Sequence, residues 1–167
     1  MLEFAILTVL PGAVAFAAAM DLFTLTIPNR ISIVLLLAFF PMAWLAGLDL
    51  TAVAYHLGAG LLVLCIGILL FIPGWFGGGD AKLMAVIGLW VGFDDLALYF
   101  VYVALAGGML ATLFSAIRAV PLPRPLLCEA WAWRLHSPEG GIPYGIALAA
   151  GALAVFPQTV WFTGLAG

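Results

Sequence analysis

Pro73-Gly74-Trp75-Phe76-Gly77-Gly78-Gly79-Asp80-Ala81-Lys82 lies between two strongly apolar runs. The Pro-Gly pair ends the run before it, because proline offers no N–H and glycine accepts conformations that helices do not. Trp75 and Phe76 carry the amphipathic rings that gather at membrane–water interfaces. Three glycines then deliver a carboxylate to the mouth of the next apolar run. Lacking Cβ, they can take positive φ and let an extended chain approach closely, although glycine also serves as a packing surface between membrane helices. Ionisable groups at membrane depth are costly and are kept for a partner or a task. This stretch reads as the edge of a membrane helix, and that reading decides the fold class.

Composition agrees. Of the 167 residues, 66% are hydrophobic and only 8% charged, with a mean hydropathy of +1.27. A soluble domain carries roughly 25% charged residues, so this supply does not cover a water-facing surface. The chain is expected to be one membrane-embedded domain over residues 1–167, an all-α polytopic bundle. No basic patch interleaved with aromatics exists, which excludes nucleic-acid binding. Cys65 and Cys128 form no CxxC pair, and neither His56 nor His136 has the partners of a metal site. Without Lys or Arg before its first apolar stretch, the N-terminus is expected to be retained as a helix and not removed as a signal peptide.

Six spans of membrane-crossing length can be marked off. They are 4–20, 31–47, 52–72, the glycines to about Phe93, 96–117 and 142–162. Asp21 closes the first, residues 22–30 read as a loop, Pro28-Asn29 opens the second, and Asp94-Asp95 separates the fourth from the fifth. With the N-terminus outside, the loops at about 21–30, 73–82 and 118–141 face the cytoplasm. They hold every Lys and Arg of the chain: Arg30, Lys82, Arg118, Arg124 and Arg134. Glu3, Asp49, Asp94 and Asp95 fall on the other side, and the positive-inside rule then selects an N-out, C-out topology. The same bookkeeping puts Asp21 and Asp80 at one depth on the cytoplasmic face.

Two carboxylates at one site can hydrolyse a peptide bond. One, ionised, activates water, and the other, protonated, hydrogen-bonds the scissile carbonyl; close like charges share a proton and titrate as a unit. Helix polarity makes Asp80, at a helix N-terminus near Lys82, the resting base, and Asp21, at a C-terminus, the resting acid.

Asp21, a five-residue spacer and Ile27-Pro28-Asn29, together with Gly77, Gly79, Asp80 and Lys82 in the order G-x-G-D-x-K, resemble the type IV prepilin peptidase family, the GxGD-type membrane aspartyl proteases. The late Ile142-Pro143-Tyr144-Gly145 is similar to an element that opens the family's last helix. The resemblance implies catalytic Asp21 and Asp80, with Gly77, Gly78, Gly79, Lys82, Pro28, Asn29, Pro143, Tyr144 and Gly145 supporting the site. It implies no metal or organic cofactor. It also implies a bacterial inner-membrane enzyme that cuts the basic leader from a prepilin, just before the hydrophobic N-terminal helix, at the cytoplasmic face. Larger members carry paired CxxC motifs and methylate the new N-terminus. This chain has none, so it resembles the short, peptidase-only TadV/CpaA type serving Flp-class pili, and N-methylation is not expected.

Other residues have plainer readings. Lys82 is equally a tuner of Asp80 and a positive-inside anchor. Asn29 and Arg30 suit capping and topology, and Tyr144 an interfacial position. In the polar stretch 118–141, Pro121, Pro123 and Pro125 stiffen the start, and Leu126, Leu127, Trp131, Trp133 and Leu135 predict a short interfacial segment. Glu129 and Glu139 there can attract a basic leader. Three rivals stand beside the peptidase: a transporter or proton relay, a GxGD protease for another membrane substrate, and a structural subunit. Relays place acids near the bilayer midplane beside broken helices; here the acids sit at one face.

Overall fold

The computed structural model describes residues 2–121, 129–137 and 140–166, with side chains described from 7 to 163 within those ranges. The readings of Arg124, Cys128, Glu139, Pro123, Pro125, Leu126, Leu127 and the Glu3 side chain lie outside the described residues. Every described element is helical: α1 (Leu2–Thr24), α2 (Asn29–Leu45), α3 (Leu50–Phe71), α4 (Gly78–Arg118), α5 (Ala130–His136), α6 (Tyr144–Val155), a 3₁₀ turn (Phe156–Gln158) and α7 (Val160–Ala166). Apolar surroundings demand this, since a helix satisfies its backbone within itself. Residues Leu7–Thr24 of α1, α3 and α4 are long and apolar enough to cross a membrane, while α2 and Tyr144–Gln158 are shorter apolar helices.

Small residues set the central packing. A Cβ on Gly60 would lie 2.9 Å from Leu89 Cβ, one on Gly67 3.0 Å from Ala81 Cβ, and one on Gly88 2.7 Å from Val63 Cγ2. α3 and α4 therefore run antiparallel with their backbones close, as small residues allow where apolar transfer gives no driving force. The start of α4 is buried without interruption from Leu83 to Gly92. A helix that is apolar all round belongs at the centre of a bundle.

As one straight rod α4 would measure roughly 60 Å, twice the hydrocarbon thickness of about 30 Å. Gly92 breaks it, at φ 77° and ψ 174°. The break comes two residues before the predicted boundary at Asp94-Asp95, which instead fall in the first turn of the second limb, where acids suit the helix dipole. Two carbonyls just before the break accept hydrogen bonds from side chains. His56 Nδ1 donates to Leu89 O at 2.7 Å and Trp161 Nε1 to Trp90 O at 2.5 Å. Because a carbonyl only accepts, His56 carries its proton on Nδ1. His56, read from sequence only as a residue without metal partners, is a buried helix cap.

Gly92→Ala tests this joint. The backbone conformation there is one that only glycine adopts readily, and a Cβ would meet the His56 ring at 2.9–3.2 Å. We expect a loss of roughly 3 kcal/mol, read as a lowered unfolding midpoint in detergent. An unchanged midpoint would contradict the break.

Two further boundaries differ from expectation. α1 continues past Asp21 to Thr24 and stops at Leu25, a non-glycine residue at φ 52°. The last predicted span is not one helix: α6 ends at Val155, and Pro157, with no N–H, leaves a 3₁₀ turn before α7.

Candidate active site

Among the described side chains of α1 the buried ones are Leu10, Val14, Ala17 and Asp21. Spacings of four, three and four keep them on one helical face, so the aspartate extends the core stripe and is only 5% exposed. Its Oδ2 accepts the Gly145 backbone N–H at 2.7 Å. Gly145 is the second residue of α6, and the N–H groups of a first helical turn have no partner within their own helix. A carboxylate from α1 thus caps α6, with Pro143 as the preceding N-cap residue. The glycine is required sterically: a Cβ there would stand 2.8 Å from Asp21 Oδ2 and 3.0 Å from Ile27 Cδ1.

Asp80 is the third residue of α4, after the N-cap residue Gly77. Its carboxylate reaches back to the Gly77 N–H, one arm of a capping box. Its Oδ1 is buried and has no hydrogen-bond partner among the described residues. None of Gly77, Gly78 and Gly79 has positive φ, which corrects the conformational reading of the glycine run. Close approach is what two of them supply. A Cβ on Gly77 would lie 2.5 Å from Asp80 Oδ2, and one on Gly79 3.2 Å from both Ile27 Cβ and Ile27 O. Gly78 meets only the Phe71 ring, at 3.4 Å.

Ile27 therefore touches Gly79 beside one aspartate and Gly145 beside the other. It is 8% exposed and fills the space between α1, α4 and α6. The two acids are close enough for the charge of Asp21 to act on Asp80. Helix polarity does not separate their roles, contrary to the sequence argument: Asp80 sits at the N-terminus of α4, and Asp21 faces the N-terminus of α6.

The remaining predicted residues frame the site. Lys82 Nζ donates to Asn29 Oδ1 at 3.0 Å; this bond ties α4 to α2, whose N-cap residue is Pro28. Tyr144 packs edge-on against Phe76, ring centroids 5.8 Å apart, and rides on Gly107, where a Cβ would lie 3.1 Å from the tyrosine ring. From Asn29, Ser32 and Lys82 an apolar groove of about 460 Å³ runs between α2 and α3, along Ala85, Val86 and Leu89 of α4. Of the segment read as interfacial, the described part forms α5, with Ala132 and Leu135 buried. Its Trp131 packs edge-on against Phe23 at 5.9 Å.

Sequence reading does not find Ile27 as a spacer, or the carbonyl contacts of the Arg118 guanidinium. Ile27 shows only as part of a motif, and Arg118 only as a topological charge.

The fold and the site together define an apolar helical bundle that carries Asp21 and Asp80 near one end. The chain belongs to the type IV leader peptidase family, whose family model matches residues 8–112. It is therefore a peptidase, and with its long apolar helices an integral membrane protein. The matched segment contains Asp21, Ile27-Pro28-Asn29 and Gly77–Lys82 and stops before Ile142–Gly145. No curated protein and no solved structure gave a significant match to the chain.

Proposed function

We propose that the chain is an aspartyl endopeptidase in which Asp21 and Asp80 form the catalytic dyad, cutting the leader of a type IV, Flp-like prepilin at the cytoplasmic face of the bacterial inner membrane. The observation that carries this reading is the meeting of the two acids. They come from helices far apart in sequence, yet Ile27 packs both against Gly79, the neighbour of Asp80, and against Gly145, whose N–H holds Asp21. One carboxylate takes a proton from water while the other hydrogen-bonds the scissile carbonyl. Asp80 Oδ1, without a partner among the described residues, is an available acceptor for that water.

The groove on α4 starts at Lys82, two residues from Asp80, which supports lateral docking of a hydrophobic substrate helix with its scissile end at the dyad. A six-span, N-out, C-out topology fits the same frame. Lys82, Arg118 and Arg134 all hydrogen-bond at the dyad end, whereas Asp49 caps the opposite start of α3. The test is co-expression with a candidate prepilin: cleavage is expected at the junction of basic leader and hydrophobic helix. An intact precursor beside folded wild-type protein would refute the substrate assignment.

A further inference from the structure

Arg118, the last residue of α4, holds three backbone carbonyls at once. Its Nε donates to Leu135 O at 2.9 Å, and its Nη2 to Gly140 O at 2.7 Å and Gly141 O at 3.0 Å. The guanidinium carbon lies 5.8 Å from the centroid of the Phe114 ring one turn back, a cation–π distance. Leu135 O belongs to the last turn of α5, where carbonyls have no partner within the helix. Arg134 of the same short helix donates in turn to Phe23 O, at the end of α1, at 3.2 Å.

The contacts converge on the start of α6. Gly141 is followed by Ile142 and the N-cap residue Pro143, and two residues further on the Gly145 N–H holds Asp21. We propose that Arg118 is a positioning residue for the dyad, a clamp that fixes the 140–145 backbone so that the Gly145 N–H aims the Asp21 carboxylate. The planar fork of arginine is needed because a single ammonium does not span three carbonyls in fixed geometry. Its burden is geometric: a displacement of about 1 Å at a catalytic group can cost on the order of a hundredfold in rate. The consequence for catalysis rests on the dyad reading; the clamp itself does not.

Two measurements on Arg118→Ala and Arg118→Lys in detergent-solubilised full-length protein separate these. Amide hydrogen exchange at Gly145 is expected to quicken at least about tenfold in Arg118→Ala, with Arg118→Lys between that variant and wild type. On a prepilin substrate, kcat is expected to fall about 10- to 100-fold with KM nearly constant. Combining Arg118→Ala with Gly145→Ala should be no worse than the more severe single change, because both act through one contact. Unchanged exchange at Gly145, an unchanged kcat in folded Arg118→Ala, or multiplying losses in the double variant would overturn the proposal. Asp21→Asn cleaving at the wild-type rate would instead sink the dyad, while the exchange still reads the clamp directly.

Discussion

Asparagine in place of Asp21 or Asp80 is expected to lower prepilin cleavage by at least about a thousandfold, near the upper range for loss of a general acid or base. The substitution is close to isosteric, and its chemistry is what fails. An amide neither ionises to take a proton from water nor carries a proton to give back. Its carbonyl oxygen still accepts a hydrogen bond, so the new side chain can hold the Gly145 N–H in Asp21→Asn and the Gly77 N–H in Asp80→Asn. Asparagine and aspartate serve about equally well as helix caps, so the unfolding midpoint should stay close to wild type. Single-turnover cleavage measured beside thermal unfolding separates the two effects. A variant that keeps the wild-type rate would remove that aspartate from the chemistry, and a large fall in the midpoint would mean that its role is structural.

Gly145→Ala is expected to cost about a hundredfold in kcat, with KM changed little. In an ordinary helix this substitution would add stability of up to about 1 kcal/mol, so a loss of function cannot come from a weaker α6. The cause is contact. The new methyl group would stand 2.8 Å from Asp21 Oδ2 and 3.0 Å from both Asp21 Cβ and Ile27 Cδ1. Ile27 has little room to retreat, because its backbone is packed against Gly79 on the other side. The carboxylate must therefore turn away from the Gly145 N–H or shift relative to Asp80. Gly108→Ala is the control, since nothing lies within 4 Å of a Cβ there. Its rate should stay within about twofold of wild type. A Gly145→Ala enzyme with the same kcat as that control would show that the hydrogen bond to Asp21 is dispensable.

The sequence is most informative where single residues carry the physics. Hydropathy marks the apolar stretches, and Pro28, Asp49 and the Gly77 turn fall at helix starts. It is least informative at joints. The conspicuous Asp94-Asp95 suggests a boundary within α4, whereas the backbone turns on Gly92, one glycine among 19. Asp21 reads as a helix terminator because it is charged, yet three more helical residues follow it. Its position on the stripe of Leu10, Val14 and Ala17 is what faces it inward.

By itself the sequence determined that this chain is a helical membrane protein with two acids in family-specific settings. Apolarity and charge are summed along the chain and need no neighbours in space. Only the tertiary structure decided what holds those acids. The Gly145 N–H reaches Asp21 across 124 residues, Ile27 separates and joins the two acidic helix ends, and Arg118 grips the segment leading to α6. Such contacts depend on which helices pack and how closely their backbones approach, and no local pattern of residues encodes that distance.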